Sequence, residues 1–93
     1  LGVKKILMSL LRHRLVTAYK LIEHDAIEPN ELGWLVHHYW NGHTYQVIYS
    51  WRLFVQHKDG WGCNCADRRI TGVECADIKS VKIYIERHKE IKV

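Results

Sequence analysis

The sequence predicts an α+β fold, and three features in chain order support this prediction. The first is a long N-terminal segment whose apolar residues have helical spacing. The second is a pair of extended, aromatic-rich runs joined by an Asn-Gly turn signal. The third is a group of three cysteines close to the C-terminus. We therefore expect a helix first, a small antiparallel meander next, and a cysteine knuckle that connects the meander to the last element.

The N-terminal helix is predicted over residues 3–25, inside a basic amphipathic segment that we extend to residues 1–28. Its apolar positions form one broad stripe, made of Val3, Ile6, Leu7, Leu10, Leu11, Leu15, Ala18, Leu21 and Ile22. Residues 1–22 contain five basic residues and no acidic one. This asymmetry leaves two interpretations, a helix that packs on the core with a solvated basic face, or one that lies on phosphates.

The middle of the chain is predicted to form strands. Residues 32–40 and 45–56 are extended runs, and Asn41-Gly42 between them is a strong hairpin signal. The second run alternates between two faces and is long, so we expect a bend or bulge near residues 50–52. Asp59-Gly60 is a second turn signal that leads into Trp61. The prediction is a three-stranded meander whose last strand carries Cys63 and Cys65.

The three cysteines and one aspartate form two pairs with the same spacing. Cys63 and Cys65 are two residues apart, and Cys75 and Asp77 repeat that spacing after an insert predicted to be an exposed loop. Two such pairs supply the four protein ligands that a structural zinc site requires. Three alternatives stay open: cysteines that are small buried hydrophobes, a disulfide from Cys63 or Cys65 to Cys75, and Asp77 as the N-cap of the last helix.

The motif resembles the SWIM zinc finger, in which C-x-C and C-x-H pairs precede an apolar helix. The resemblance is close over residues 61–81 and loose over 34–90, and residues 32–90 would form a SWIM-like zinc-binding module. Asp67, Ile78 and Val81 also resemble the family, whereas Asp77 stands at the histidine position. The alternation of residues 81–85 would also suit a strand, but the resemblance implies a C-terminal helix. It also implies DNA binding or protein–protein interaction, often beside transposase, helicase or recombination functions.

The proposed ligands would bring four negative charges to one zinc ion. We expect Arg68, Arg69 and Lys79 to offset the excess. Because a neutral histidine would be electrostatically easier than Asp77, His57 and His88 remain substitute fourth ligands. Every candidate ligand is used in a closed site, which leaves no open position for catalysis, so we do not expect an enzyme.

The predicted function is a small zinc-binding module that binds nucleic acid, DNA in the first place, as a regulator or accessory factor. The formal charge of +4 permits this partner without requiring it. The residues predicted to contact the backbone are basic, and are Lys4, Lys5, Arg12, Lys20, Arg68, Arg69, Lys79 and Lys82. The alternative is a protein-interaction module or homodimer that uses an aromatic sheet face, made of Trp34, Trp40, Tyr45, Tyr49 and Trp51.

Length and composition argue against several other classes of protein. The 93 residues suit one domain with a thin core, and an apolar content of 47% argues against disorder. The sequence contains no run of about twenty apolar residues, so it does not predict a membrane span. Arg12, His13 and Arg14 interrupt the layout of a signal peptide. We expect an intracellular protein, cytoplasmic or nuclear, with no membrane partner, and a viral or archaeal source would fit.

Overall fold

Helices and an antiparallel sheet make up the chain, which confirms the predicted α+β class. The computed structural model describes residues 2–50 and 59–89, with side chains from residue 12 onward. The elements are α1 (Gly2–Glu23), β1 (Ile27–Pro29), β2 (Trp34–His37), β3 (Thr44–Tyr49), β4 (Trp61–Cys63), α2 (Ala66–Thr71) and α3 (Ala76–Lys89). Neighbours in sequence pair in the order β1-β2-β3-β4. Among the helices that the structure describes, none has both the length and the apolar composition to cross a membrane.

The first helix ends earlier than predicted. Asp25 adopts a left-handed conformation with φ 52°. The amide of Asp25 donates to the carbonyl of Ile22, and the amide of Ala26 donates to that of Leu21. These two bonds are the Schellman arrangement that closes a helix C-terminus. The extension of the helical segment to residue 28 is therefore wrong, because residues 27–29 form an edge strand paired with β2.

Within the described residues the sheet has four strands instead of the predicted three, and its central hairpin follows the Asn-Gly signal. His38 and His43 close the loop, since the amide of His38 donates to the carbonyl of His43 at 2.8 Å. Gly42 has φ 75°, a conformation that glycine adopts without strain. The bend predicted near residues 50–52 falls mainly outside the described residues.

The core lies between the sheet and the helices. Helix α3 contacts all four strands, and α1 packs along α3. The helix that the resemblance implied is thus present, and the strand alternative for residues 81–85 is wrong. Fully buried apolar side chains come from every layer, and include Leu21, Val36, Val47, Ile78 and Val81. Each contributes roughly 1.5–3 kcal/mol by leaving water.

The aromatic residues do not share one exposed face. Trp34 and Tyr45 pack against the core cluster, whereas Trp40 and Tyr49 are about half exposed. Trp51 lies outside the described residues. Among the described residues, the apolar face of the sheet is therefore used mainly for folding.

Two local predictions around the cysteines are also corrected. Strand β4 ends at Cys63, and Cys65 lies beyond it at the start of α2. The insert expected to be an exposed loop contains α2, which ends at Gly72 with φ 69°. Helix formation turns Arg68 inward and buries it, so the expectation of an exposed Arg68 is wrong.

Candidate metal centre

Four side chains from three elements meet inside the protein. Cys63, Cys65, Cys75 and Asp77 each offer one ligand atom, and these atoms all lie within 4.8 Å of one another. All four residues are buried, and the three cysteines are free thiols instead of a disulfide. In a tetrahedral zinc site with bonds of about 2.3 Å, sulfur atoms lie roughly 3.8 Å apart. The spread of the ligand atoms is compatible with that geometry, so these residues could bind a metal ion.

Two of the cysteines begin helices. Cys65 is the N-cap of α2, and its sulfur accepts the backbone N–H of Arg68 at 3.5 Å. Cys75 directly precedes α3. The hydrogen bond with Cys63 and a backbone hydrogen bond from Ile78 lower the pKa of the Cys75 thiol, but the hydrogen bond with Cys65 and burial raise it more, so the pKa is raised overall. Both sulfurs replace the oxygen of an ordinary N-cap. The positive ends of two helix dipoles therefore face the cluster and favour anionic ligands.

Asp77 is the second residue of α3 and does not act as its N-cap, so that alternative is wrong. One carboxylate oxygen, Oδ2, lies 3.5 Å from the sulfur of Cys63. The other, Oδ1, lies 2.6 Å from Nε2 of His38. The carboxylate is nearly inaccessible to water, with 3% of the side chain exposed. The position of the Asp77 carboxylate fits the role of a metal ligand.

The electrostatics of the cluster favour a bound cation. Hydrogen bonds with Cys65 and Cys75, together with burial, raise the pKa of the Cys63 thiol. The hydrogen bonds from Cys63 and Cys75 lower the pKa of the Cys65 thiol. Burial raises the pKa of Asp77, and this outweighs the lowering effect of His38. The ligands repel one another when ionised, so a metal ion would replace the retained protons.

The basic side chains expected to offset the charge are used elsewhere. Lys79 and Lys82 both pair with Glu74. Arg68 reaches the cluster through its backbone amide, while its guanidinium bonds other groups. Arg69 is exposed. The helix N-termini and His38 are the groups that the structure places against the ligands.

Arg68 organises the loop around the candidate site. Its Nη2 donates to Oδ1 of Asp59 at 2.7 Å and to the carbonyl of Trp61 at 3.0 Å. Its Nη1 donates to the carbonyl of Gly72 at 2.8 Å. The side chain is 3% exposed. Arg68 thus links the turn before β4 to the end of α2 and is unavailable to an external partner.

A second arginine ties α1 to the candidate site. Nε and Nη2 of Arg14 donate to the two oxygens of Asp67 at 2.8 and 2.9 Å. This two-bond geometry is the strongest form of an arginine–carboxylate pair. Sequence reasoning missed Arg14, His38 and Asp59, because their partners are 53, 39 and 9 residues away along the chain.

Of the two substitute histidines, the structure describes His88, which does not join the four candidate ligands. His88 is exposed near the end of α3, where Nδ1 donates to the carbonyl of Tyr84 at 2.8 Å. His57 lies outside the described residues. Asp77 is the fourth member of the cluster that the structure assembles.

The predicted nucleic-acid contacts divide into four groups. Arg12, Lys20 and Arg69 are exposed. Lys79 and Lys82 are half-buried in pairs with Glu74, and Lys82 also lies over the ring of Trp61, 5.5 Å from its centroid. Arg68 is buried. Lys4 and Lys5 belong to α1, and their side chains are outside the described set.

Comparisons of this chain with family models, with curated proteins and with solved structures gave no match. The fold and the buried ligand cluster are therefore the observations on which a function can be proposed.

Replacement of Asp77 tests its role as a ligand. We expect Asp77→Ala to weaken zinc binding by more than about 100-fold, since loss of an outer hydrogen-bond partner alone costs 10–100-fold. Asp77→His should retain zinc, because it supplies a neutral nitrogen ligand. Affinities are measured by competition with a chromophoric chelator under reducing conditions. Asp67→Ala is the matched control, since Asp67 also follows a Cys-Ala pair but faces Arg14. Equal affinities for the Asp77→Ala variant and wild type would exclude Asp77 as a ligand.

Proposed function

We propose that this protein is a structural zinc module that binds nucleic acid, DNA in the first place, as a regulator or accessory factor. The observation that carries the proposal is the buried cluster of Cys63, Cys65, Cys75 and Asp77, with ligand atoms within 4.8 Å of one another. Zinc would hold β4, α2 and α3 together.

The donor set favours zinc over harder cations. Three thiolates are soft ligands, whereas Mg²⁺ and Ca²⁺ prefer carboxylates, carbonyls and water. Four protein ligands complete a tetrahedral shell, which is typical of structural sites; catalytic sites keep a position for water. The role of the metal would be to stabilise the fold that presents the binding surface.

The basic N-terminal helix supports the choice of nucleic acid. Residues 1–22 contain no acidic residue, and Arg12 and Lys20 are exposed. Arg69 adds an exposed charge on α2. Arg68 is left out of this surface because its guanidinium is buried against Asp59. Lys79 and Lys82 contribute less, because Glu74 already neutralises part of their charge.

Salt dependence of duplex binding tests this proposal. Each phosphate contact releases counterions, so loss of one should reduce the slope of log affinity against log salt by about one. We expect Arg12→Ala, Lys20→Ala and Arg69→Ala each to weaken binding to all sequences and flatten the slope. Lys89→Ala is the control, because it removes the same charge from a residue paired with Glu86. Failure of the wild type to bind duplex at low salt would exclude nucleic acid as the partner.

A protein partner is the second candidate, and the exposed apolar side of α1 supports it. Leu15, Val16 and Tyr19 are each 45–46% exposed. Their burial against a partner or a second copy would be largely insensitive to salt, in contrast to phosphate contacts. The salt series therefore separates the two candidates.

A further inference from the structure

A short hydrogen bond connects the hairpin to the candidate metal centre. Nε2 of His38 lies 2.6 Å from Oδ1 of Asp77, and 14% of the histidine side chain is exposed. The second oxygen of Asp77, Oδ2, lies on the side of Cys63 at 3.5 Å from its sulfur. The two oxygens therefore have separate environments, one facing an imidazole and one facing the thiols.

His38 is held in place independently of Asp77. Its backbone amide donates to the carbonyl of His43 at 2.8 Å, which closes the hairpin loop. Its ring stacks on Trp40 with centroids 4.4 Å apart and packs against Tyr45 at 4.7 Å. Because both the backbone of His38 and the faces of its ring are held, its imidazole can impose an orientation on a carboxylate.

We propose that His38 is the positioning residue of the metal centre: its Nε2–H holds Oδ1 of Asp77 so that Oδ2 alone binds the metal. This inference rests on the proposed zinc function. An ionised carboxylate only accepts hydrogen bonds, so the proton of the short bond belongs to Nε2. With Oδ1 engaged, Asp77 binds through one oxygen, and the site keeps the four ligands of a closed tetrahedral centre.

The same bond relieves part of the charge imbalance. Three thiolates and one carboxylate exceed the two positive charges of zinc, and Lys79, one of the residues expected to compensate, pairs with Glu74 instead. A donor directed at Asp77 draws negative charge away from the ligand side of the carboxylate. It also connects residues 39 positions apart, so the metal centre and the aromatic hairpin support each other.

Substitution of His38 separates this role from simple packing. His38→Phe keeps an aromatic ring against Trp40 and Tyr45 but removes the donor. We expect it to weaken zinc binding 10–100-fold, which is the usual loss for an outer-shell partner. His38→Gln, which retains an N–H donor, should recover part of the affinity. His37→Phe is the matched control, because His37 is the adjacent residue and bonds Thr44 on the exposed side of the sheet. In an Asp77→Ala background, His38→Phe should have no further effect.

Nitrogen-15 NMR of the wild-type protein loaded with zinc gives a second measurement that does not depend on the folding of a variant. Nε2 of His38 should carry a proton that it donates to Oδ1 of Asp77. A metal-bound, unprotonated Nε2 would overturn the inference, since His38 would then be a ligand itself. Equal zinc affinities for the His38→Phe variant and wild type would also overturn it, with the zinc function intact. If the wild type binds no zinc, the proposed function fails as well.

Discussion

Addition of a strong chelator to the reduced, zinc-loaded protein should abolish its cooperative thermal unfolding. Structural zinc contributes on the order of 10–16 kcal/mol of binding free energy in small modules. A domain of this size has a total stability of about 5–15 kcal/mol. Without the metal, buried Cys63, Cys65, Cys75 and Asp77 remain together only if they keep their protons, because their charges repel. The measurement is circular dichroism against temperature, with zinc content determined on the same samples.

Chelator saturated with zinc beforehand is the control, since it adds the same solute without removing metal. Readdition of zinc should restore the transition. An unchanged melting curve in protein shown to contain no zinc would mean that the cluster is stable as protonated groups, and the structural role of the metal would be refuted.

Arg68→Ala should lower the free energy of unfolding of the zinc-loaded protein by about 3 kcal/mol, since removal of one partner from a buried ion pair costs 3–5 kcal/mol. We expect the lower end because the Asp59 side chain is 39% exposed and regains water. The loss also leaves the carbonyls of Trp61 and Gly72 without the donors that Arg68 supplies. Urea denaturation measures the change.

Arg69→Ala is the matched control for this experiment. Arg69 is the next residue in α2 and carries the same charge, but it is exposed. Its replacement should change stability by less than about 0.5 kcal/mol, as for most surface positions. Equal effects of the two substitutions would contradict the role assigned to Arg68. The pair of variants also separates stability from the phosphate contacts proposed for Arg69.

Several elements follow from local signals that the structure confirms. The apolar residues of α1 follow the period of a helix, and those of β3 alternate with the period of a strand. Both periods can be read directly from the spacing of residues in the sequence. Asn41-Gly42 and Asp59-Gly60 mark turns because few residues suit their backbone conformations. The set of four candidate ligands was also predictable, since three cysteines and one aspartate occur as two pairs with the same spacing. Strand β1 was not predictable, because its three residues, which end at Pro29, carry too short a pattern and depend on pairing with β2.

The tripeptide Cys-Ala-Asp shows what only the tertiary structure decides. It occurs at residues 65–67 and again at 75–77, and both copies start a helix with a cysteine before its first turn. Asp67 turns to Arg14 on α1, whereas Asp77 turns inward to His38 and Cys63.

The sequence by itself therefore determined the fold class, the turns and the set of candidate ligands, all of which depend on neighbours a few residues away. It left undecided which arginine is buried, which groups face the ligands and which histidine holds Asp77. Those outcomes depend on helices and strands far apart in the chain, and a buried charge lies wherever packing brings a partner to it.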